Sequence, residues 1–132
     1  MKKNVLALLF YIGAIYDGFL GLAFLLFPKG LFEFFNVTPP NHFGYVQFPA
    51  ALLLIFGLMF LAVARDPLKN RNLIIYGILL KVSYCSIAFF YWATTNIPGI
   101  WKPFAVFDLV FGFLFFMADK DLAKADNPSA IA

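Results

Sequence analysis

Four long apolar segments constrain the fold of this chain more than any other feature. They cover residues 5–27, 44–64, 73–95 and 100–118. Each is close to the roughly 20 apolar residues that a helix needs to cross the hydrocarbon core of a bilayer. Prolines end the first segment and interrupt each connection, where a helix is expected to stop. Strands would leave backbone groups unpaired in lipid, so the sequence predicts an all-α, up-down four-helix membrane bundle.

The composition supports burial in lipid. Of the 132 residues, 63% are hydrophobic and 13% are charged, whereas soluble domains have about half and a quarter. A chain this short cannot enclose so much apolar surface in a water-soluble core. The first segment is too long for a signal peptide and no small-residue cleavage site follows it. We therefore predict that it is a permanent helix.

The distribution of Lys and Arg predicts the orientation. Seven of these residues fall at the N-terminus, in the connection between the second and third segments, or in the tail; two fall on the opposite side, at Lys29 and Lys102. Positive residues favour the cytoplasmic side. The sequence thus predicts a multi-pass protein of the cell inner membrane with both termini in the cytoplasm. Residues 119–132 are predicted to be a polar cytoplasmic tail, disordered at its end.

The first outer connection is longer than a turn requires. Apolar and charged residues alternate in it so that one helical face is apolar. That face would consist of Leu31, Phe32, Phe34 and Phe35, beside Lys29 and Glu33. This pattern predicts a short interfacial helix that lies on the membrane surface.

Three ionisable residues lie inside the spans: Asp17, Lys81 and Asp108. Each costs about 2.5–3.5 kcal/mol on insertion scales, so such residues usually face the bundle interior and pair with one another. The helical rise places them roughly 18, 12 and 15 Å from the cytoplasmic ends of their spans. We expect the three to meet in one layer, with Tyr84 beside them and Gln47 nearer the outer surface. These five are the candidate ligand-binding or proton-handling residues.

Two interpretations of these charges remain open, besides a third in which Asp17 or Asp108 faces another subunit. In the structural one, an aspartate neutralises Lys81 and fixes the helix register. In the functional one, the charges line a polar cavity. Because two carboxylates face one ammonium, one carboxylate is available to hold a proton, and Lys81 would attract an anionic or carbonyl group of a ligand.

The leading functional hypothesis is a small membrane protein that binds a small hydrophobic or anionic ligand, as an accessory subunit or a homo-oligomer in the bilayer. One alternative is a proton-coupled transporter of a small solute that works as an oligomer. Another is a membrane enzyme with a carboxylate as general acid–base, although no motif identifies catalytic residues. A purely structural partner of a larger complex is a further alternative.

Motifs for other functions are absent from the sequence. It has no Gly-rich phosphate loop and no metal-binding motif. With one cysteine, Cys85, and one histidine, His42, we predict no metal site and no cofactor. The net charge is only +3, and the Lys and Arg residues are scattered along the chain. This pattern excludes a nucleic-acid partner.

The overall pattern resembles the DoxX-like group of small four-helix bacterial membrane proteins. The shared features are a glycine-rich first helix from Gly13 that ends at Pro28, a following amphipathic stretch, and four spans of similar length. Some members of that group are membrane subunits of quinone-linked sulfur oxidoreductases. The resemblance therefore implies an accessory role beside a redox partner, but it carries no residue roles to this chain.

Overall fold

A computed structural model describes residues 1–127 and Ser129 of the chain. Within this part, five α-helices account for most residues: α1 (Lys3–Leu26), α2 (Pro28–Phe34), α3 (Gly44–Arg65), α4 (Ile74–Thr94) and α5 (Trp101–Asp126). A 3-10 turn at Arg71–Leu73 leads into α4. The prediction of an all-α chain is confirmed.

Four of these helices are long and apolar enough to cross a membrane, as the sequence predicted. Much of their apolar surface faces outward: for example, Ile15 is 70% exposed and Phe19 is 74% exposed. Burying such surface against lipid removes the cost of exposing it to water. A multi-pass membrane protein is the class that this surface fits.

The last helix differs from the predicted span. It continues eight residues beyond 118, to Asp126, so the first part of the predicted polar tail is helical. Its inner side still carries Ala118 and Leu122, which are buried in the core with Leu6, and this packing holds the additional turns. The predicted disorder concerns the end of the tail, much of which lies outside the described residues.

Two helix pairs make up the bundle, α1 with α3 and α4 with α5. Glycine allows the first pair to approach closely. A Cβ atom on Gly21 would lie 2.5 Å from the carbonyl oxygen of Ala50, and one on Gly57 would lie 2.9 Å from the Cα of Gly18. Small residues serve this purpose in membrane helices, where close van der Waals packing drives association.

The N-terminus, the connection after α3 and the end of α5 meet at one end of the molecule, which we call the terminal end. The N-terminal ammonium of Met1 lies 2.6 Å from Asp121, and Arg71 lies 2.9 Å from Asp119. These ion pairs are partly exposed, so each contributes little stability on its own. They do, however, fix which helix ends lie together.

The short helix α2 folds over the opposite end. Its one buried residue, Phe32, contacts the rings of Phe24, Phe43 and Trp101 at centroid distances of 6.3–6.4 Å. Phe34 points away from the bundle and is 81% exposed. Phe32 and Phe34 therefore face in opposite directions and do not share the single apolar face that the sequence predicted.

Candidate functional site

Asp17, Lys81 and Asp108 form one buried cluster, which we call the ion triad. The Lys81 ammonium donates to both carboxylate oxygens of Asp17 at 2.8 and 2.9 Å, and to Oδ1 of Asp108 at 2.9 Å. The side chains of Asp17 and Lys81 are 1% exposed and that of Asp108 is 10% exposed. The structure thus brings together the three intramembrane charges singled out in the sequence.

The residues around each charge explain why the triad assembles. On α1, Asp17 follows the buried glycine Gly13 by one turn, and Gly21 follows it by another. On α4, Gly77 and Cys85 flank Lys81 at the same spacing. Residues four apart share one face of a helix, so the small neighbours bring the helices close where the charged side chains meet.

The hydrogen bonds of the ammonium decide what Lys81 can do. A lysine ammonium has three donors, and in this structure it makes three contacts, all with carboxylate oxygens. Lys81 is also fully buried. This geometry favours a role as the counter-ion of the two aspartates over direct contact with an anionic ligand.

Three aromatic rings also lie near the ammonium. Its Nζ lies 5.0 Å from the ring centroid of Tyr16, 5.4 Å from Phe111 and 6.0 Å from Phe60. Towards the terminal end, Phe10 and Phe60 pack on Phe115 with ring centroids 4.6 and 4.9 Å away. All three of these rings are fully buried, so the triad is sealed on that side.

On its other side the triad borders a cavity of about 330 Å³ between the helix pairs, which we call the main cavity. This volume falls within the roughly 300–1,000 Å³ of small-molecule sites. All four long helices contribute to its walls. It is lined by Tyr16, Asp17, Leu20, Phe24, Val46, Pro49, Ala50, Leu53, Leu80, Ser83, Tyr84, Ile87, Trp101, Phe104 and Asp108.

The main cavity opens sideways between α3 and α4. Near their connection these helices touch, because Phe60 of α3 packs on Gly77 of α4. Farther along, Pro49, Ser83 and Ile87 line the cavity and are at the same time exposed. In a bilayer this opening would face the acyl chains, not water.

Tyr16 places a polar group in this largely apolar space. Its hydroxyl is buried and has no hydrogen-bond partner among the residues that the structure describes. Leaving a buried hydroxyl unpaired costs about 1–3 kcal/mol. The Tyr16 hydroxyl is therefore an unsatisfied donor and acceptor in a residue that lines the main cavity.

Two other candidate residues from the sequence have different surroundings. Tyr84 lines the cavity, but its hydroxyl donates to the Trp101 carbonyl at 3.0 Å, which ties α4 to the start of α5. Gln47 donates to the Leu25 carbonyl at 3.1 Å. That bond satisfies one of the unpaired carbonyls at the end of α1, and Gln47 does not line the main cavity.

Sequence reasoning missed Tyr16 and Phe104 as cavity residues. A signal for the first was present: Tyr16, Leu20 and Phe24 recur at every fourth position and so share a face of α1. All three line the cavity. The signal was obscured because ordinary core packing produces the same spacing.

A second cavity, of about 280 Å³, lies on the outer side of the α4–α5 pair. Lys81 and Asp108 contribute to its floor, while Val82, Ser86 and Leu109 line it and are exposed. Asp108 consequently borders both cavities. Among the described residues, no group of three His, Cys, Asp or Glu side chains could hold a metal ion.

Comparisons with known proteins found no matching family model, no matching curated protein and no matching solved structure.

Proposed function

We propose that this chain is an inner-membrane protein that binds a small, lipid-soluble ligand in the main cavity. The observation that carries the proposal is a largely apolar cavity whose lining includes two carboxylate residues and Tyr16, whose hydroxyl has no partner among the described residues. Binding sites for small molecules combine apolar walls with a few placed polar groups. A ligand that hydrogen-bonds to Tyr16 would remove the cost of that unpaired hydroxyl.

Membrane placement follows the charges and the apolar surface. We propose an up-down-up-down arrangement with both termini in the cytoplasm, supported by the seven Lys and Arg residues at the terminal end against two at the other. In this arrangement α2 lies at the outer surface, where its exposed Phe34 would enter the headgroup region. The ligand would then reach the cavity from within the bilayer, through the opening between α3 and α4.

We propose that the chain works as an accessory subunit or a homo-oligomer. The described part forms one helical bundle and has no separate soluble domain. The resemblance to DoxX-like proteins is compatible with this role, but fold analogy alone does not establish function.

Native mass spectrometry of the chain extracted from its own membranes in mild detergent tests the ligand proposal. The wild type should retain a small molecule, and Tyr16→Phe should retain much less because it loses one hydrogen bond. Tyr11→Phe is the matched control, since Tyr11 lies on the same helix, is exposed and does not line the main cavity. Equal occupancy in all three forms would contradict the site assignment, and a wild type without any small molecule would contradict the function.

A proton-coupled transporter is the second candidate, and one observation favours it. Asp108 borders the main cavity and the second cavity, which lie on two sides of the α4–α5 pair. A titratable residue that borders two cavities is a candidate to pass a proton from one to the other. This candidate predicts pH-driven solute flux in proteoliposomes that Asp108→Asn abolishes, whereas simple ligand binding predicts none.

A further inference from the structure

We propose that the ligand of the main cavity is a lipophilic organic cation, whose charged group lies beside Asp108 and whose apolar part lies against the cavity walls. This inference rests on the proposed function and specifies the chemical class of the ligand. It follows from the charges that border the cavity, from the rings in its walls and from the hydrogen bonds of Lys81.

The first step is the balance of charge. The residues that line the main cavity include two acids, Asp17 and Asp108, and no Lys, Arg or His. Lys81, which does not line the main cavity, neutralises one unit of this negative charge. With both carboxylates ionised, the triad presents a net charge of −1 to the cavity, and a cation in the cavity would complete the balance.

The second step is the unequal sharing of Lys81. Its ammonium contacts both oxygens of Asp17 but only Oδ1 of Asp108. Asp108 also keeps more exposure than Asp17, at 10% against 1% of its side chain. The second oxygen of Asp108 is therefore the acceptor best placed for a positively charged group in the cavity.

The third step is the aromatic lining. Five aromatic residues from three helices surround the space: Tyr16, Phe24, Tyr84, Trp101 and Phe104. Ring faces attract cations, and quaternary ammonium groups are bound by such aromatic cages. The aliphatic residues of α3 and α4 complete the wall and would hold the apolar part of the ligand.

An anionic ligand is disfavoured by the same contacts. Lys81 does not line the main cavity, and its three donors already contact carboxylates. An anion would instead meet the two aspartates. A neutral ligand would fit the apolar walls, but the triad would then be neutral only if one carboxylate held a proton.

Three probes of similar size and shape distinguish these classes: phenyltrimethylammonium, the neutral isostere tert-butylbenzene, and benzenesulfonate. Isothermal titration calorimetry at pH 8 with the chain in lipid nanodiscs, corrected for empty nanodiscs, measures each affinity. We expect the cation to bind at least about tenfold more tightly than tert-butylbenzene, because a unit charge a few ångströms away adds attraction even at high effective dielectric. Benzenesulfonate should not bind.

A variant locates the charge that is responsible. Asp108→Asn keeps the shape of the side chain and leaves the contact between Lys81 and Asp17, so cation affinity should fall by on the order of 100-fold while that of tert-butylbenzene stays unchanged. Asp126→Asn removes the same charge from an exposed position on the same helix and should change neither affinity.

The outcomes separate the two proposals. Equal binding of phenyltrimethylammonium and tert-butylbenzene would overturn the cation class while supporting a ligand cavity. Tighter binding of benzenesulfonate would overturn the charge reasoning. Failure of all three probes to bind would overturn the cavity function itself. Since the probe comparison uses the wild type, it remains decisive even if Asp108→Asn does not fold.

Discussion

Replacing Lys81 by Met should strongly destabilise the protein. The variant keeps the length of the side chain but leaves Asp17 and Asp108 buried without the ammonium that contacts them at 2.8–2.9 Å. Breaking a buried ion pair by removing one partner costs about 3–5 kcal/mol, because an uncompensated charge stays in a medium of low dielectric. We expect the free energy of unfolding of Lys81→Met to be lower than that of the wild type by this amount at neutral pH.

The pH dependence of that loss gives a further check. Without Lys81, the two carboxylates can remain buried together only by taking up protons, and this uptake becomes easier as the pH falls. The destabilisation should therefore be largest at pH 8 and smaller at pH 5. A structural ion triad thus predicts both the size of the stability loss and the direction in which that loss changes with pH.

Unfolding in mixed micelles of mild detergent and sodium dodecyl sulfate, followed by circular dichroism, measures the difference. Lys69→Met is the matched control, because Lys69 is exposed in the connection after α3 and should change stability by less than about 0.5 kcal/mol. A Lys81→Met variant as stable as Lys69→Met would refute the reasoning. So would a destabilisation that grows as the pH is lowered.

Three further substitutions test separate parts of the structure. Gly21→Ala should destabilise the protein by about 1–3 kcal/mol, because the new methyl group would clash with the carbonyl of Ala50. Its control in the same unfolding assay is Gly30→Ala, where the added atom meets open space. Gln47→Leu should lose about 1 kcal/mol of stability, because Gln47 bonds α3 to the end of α1. It should retain the copurifying molecule in native mass spectra, because Gln47 does not line the main cavity. Tyr16→Phe should raise the stability of the ligand-free protein by about 1–3 kcal/mol by removing an unpaired buried hydroxyl, and a loss of stability would show that the hydroxyl has a partner.

Much of the fold could be predicted from the sequence because lipid imposes strong requirements. A helix that crosses a bilayer needs a long apolar run, so the bounds of α1 and α3 differ from the predicted spans by at most two residues. The meeting of Asp17, Lys81 and Asp108 could also be expected, since buried charges must pair and the helical rise sets their depth.

Other features depend on tertiary packing that the local sequence does not encode. The end of α5 is polar in composition, and its helical continuation depends on Leu122 packing in the core near Leu6. The cavity exists because the two helix pairs leave a space between them, which is a property of the whole bundle. Packing also decides that Gln47 bonds to the end of α1 and does not line the main cavity, although its sequence position suggested the site.

The sharing of Lys81 between two aspartates also required the structure. The sequence shows two acids and one base, but not which oxygen remains available. In the folded chain, Asp17 has both oxygens on the ammonium, whereas Asp108 has one and keeps access to two cavities. That asymmetry changes the expected ligand from one attracted by Lys81 to one attracted by Asp108.

A crystal structure of the wild-type chain, purified in mild detergent and grown from a lipidic mesophase, tests the central claim most directly. We predict density for a small molecule in the main cavity, within hydrogen-bond distance of the Tyr16 hydroxyl and beside Asp108. A cavity closed by rearranged side chains, with the Tyr16 hydroxyl bonded to another group of the protein, would contradict the account and leave the ion triad a structural element only.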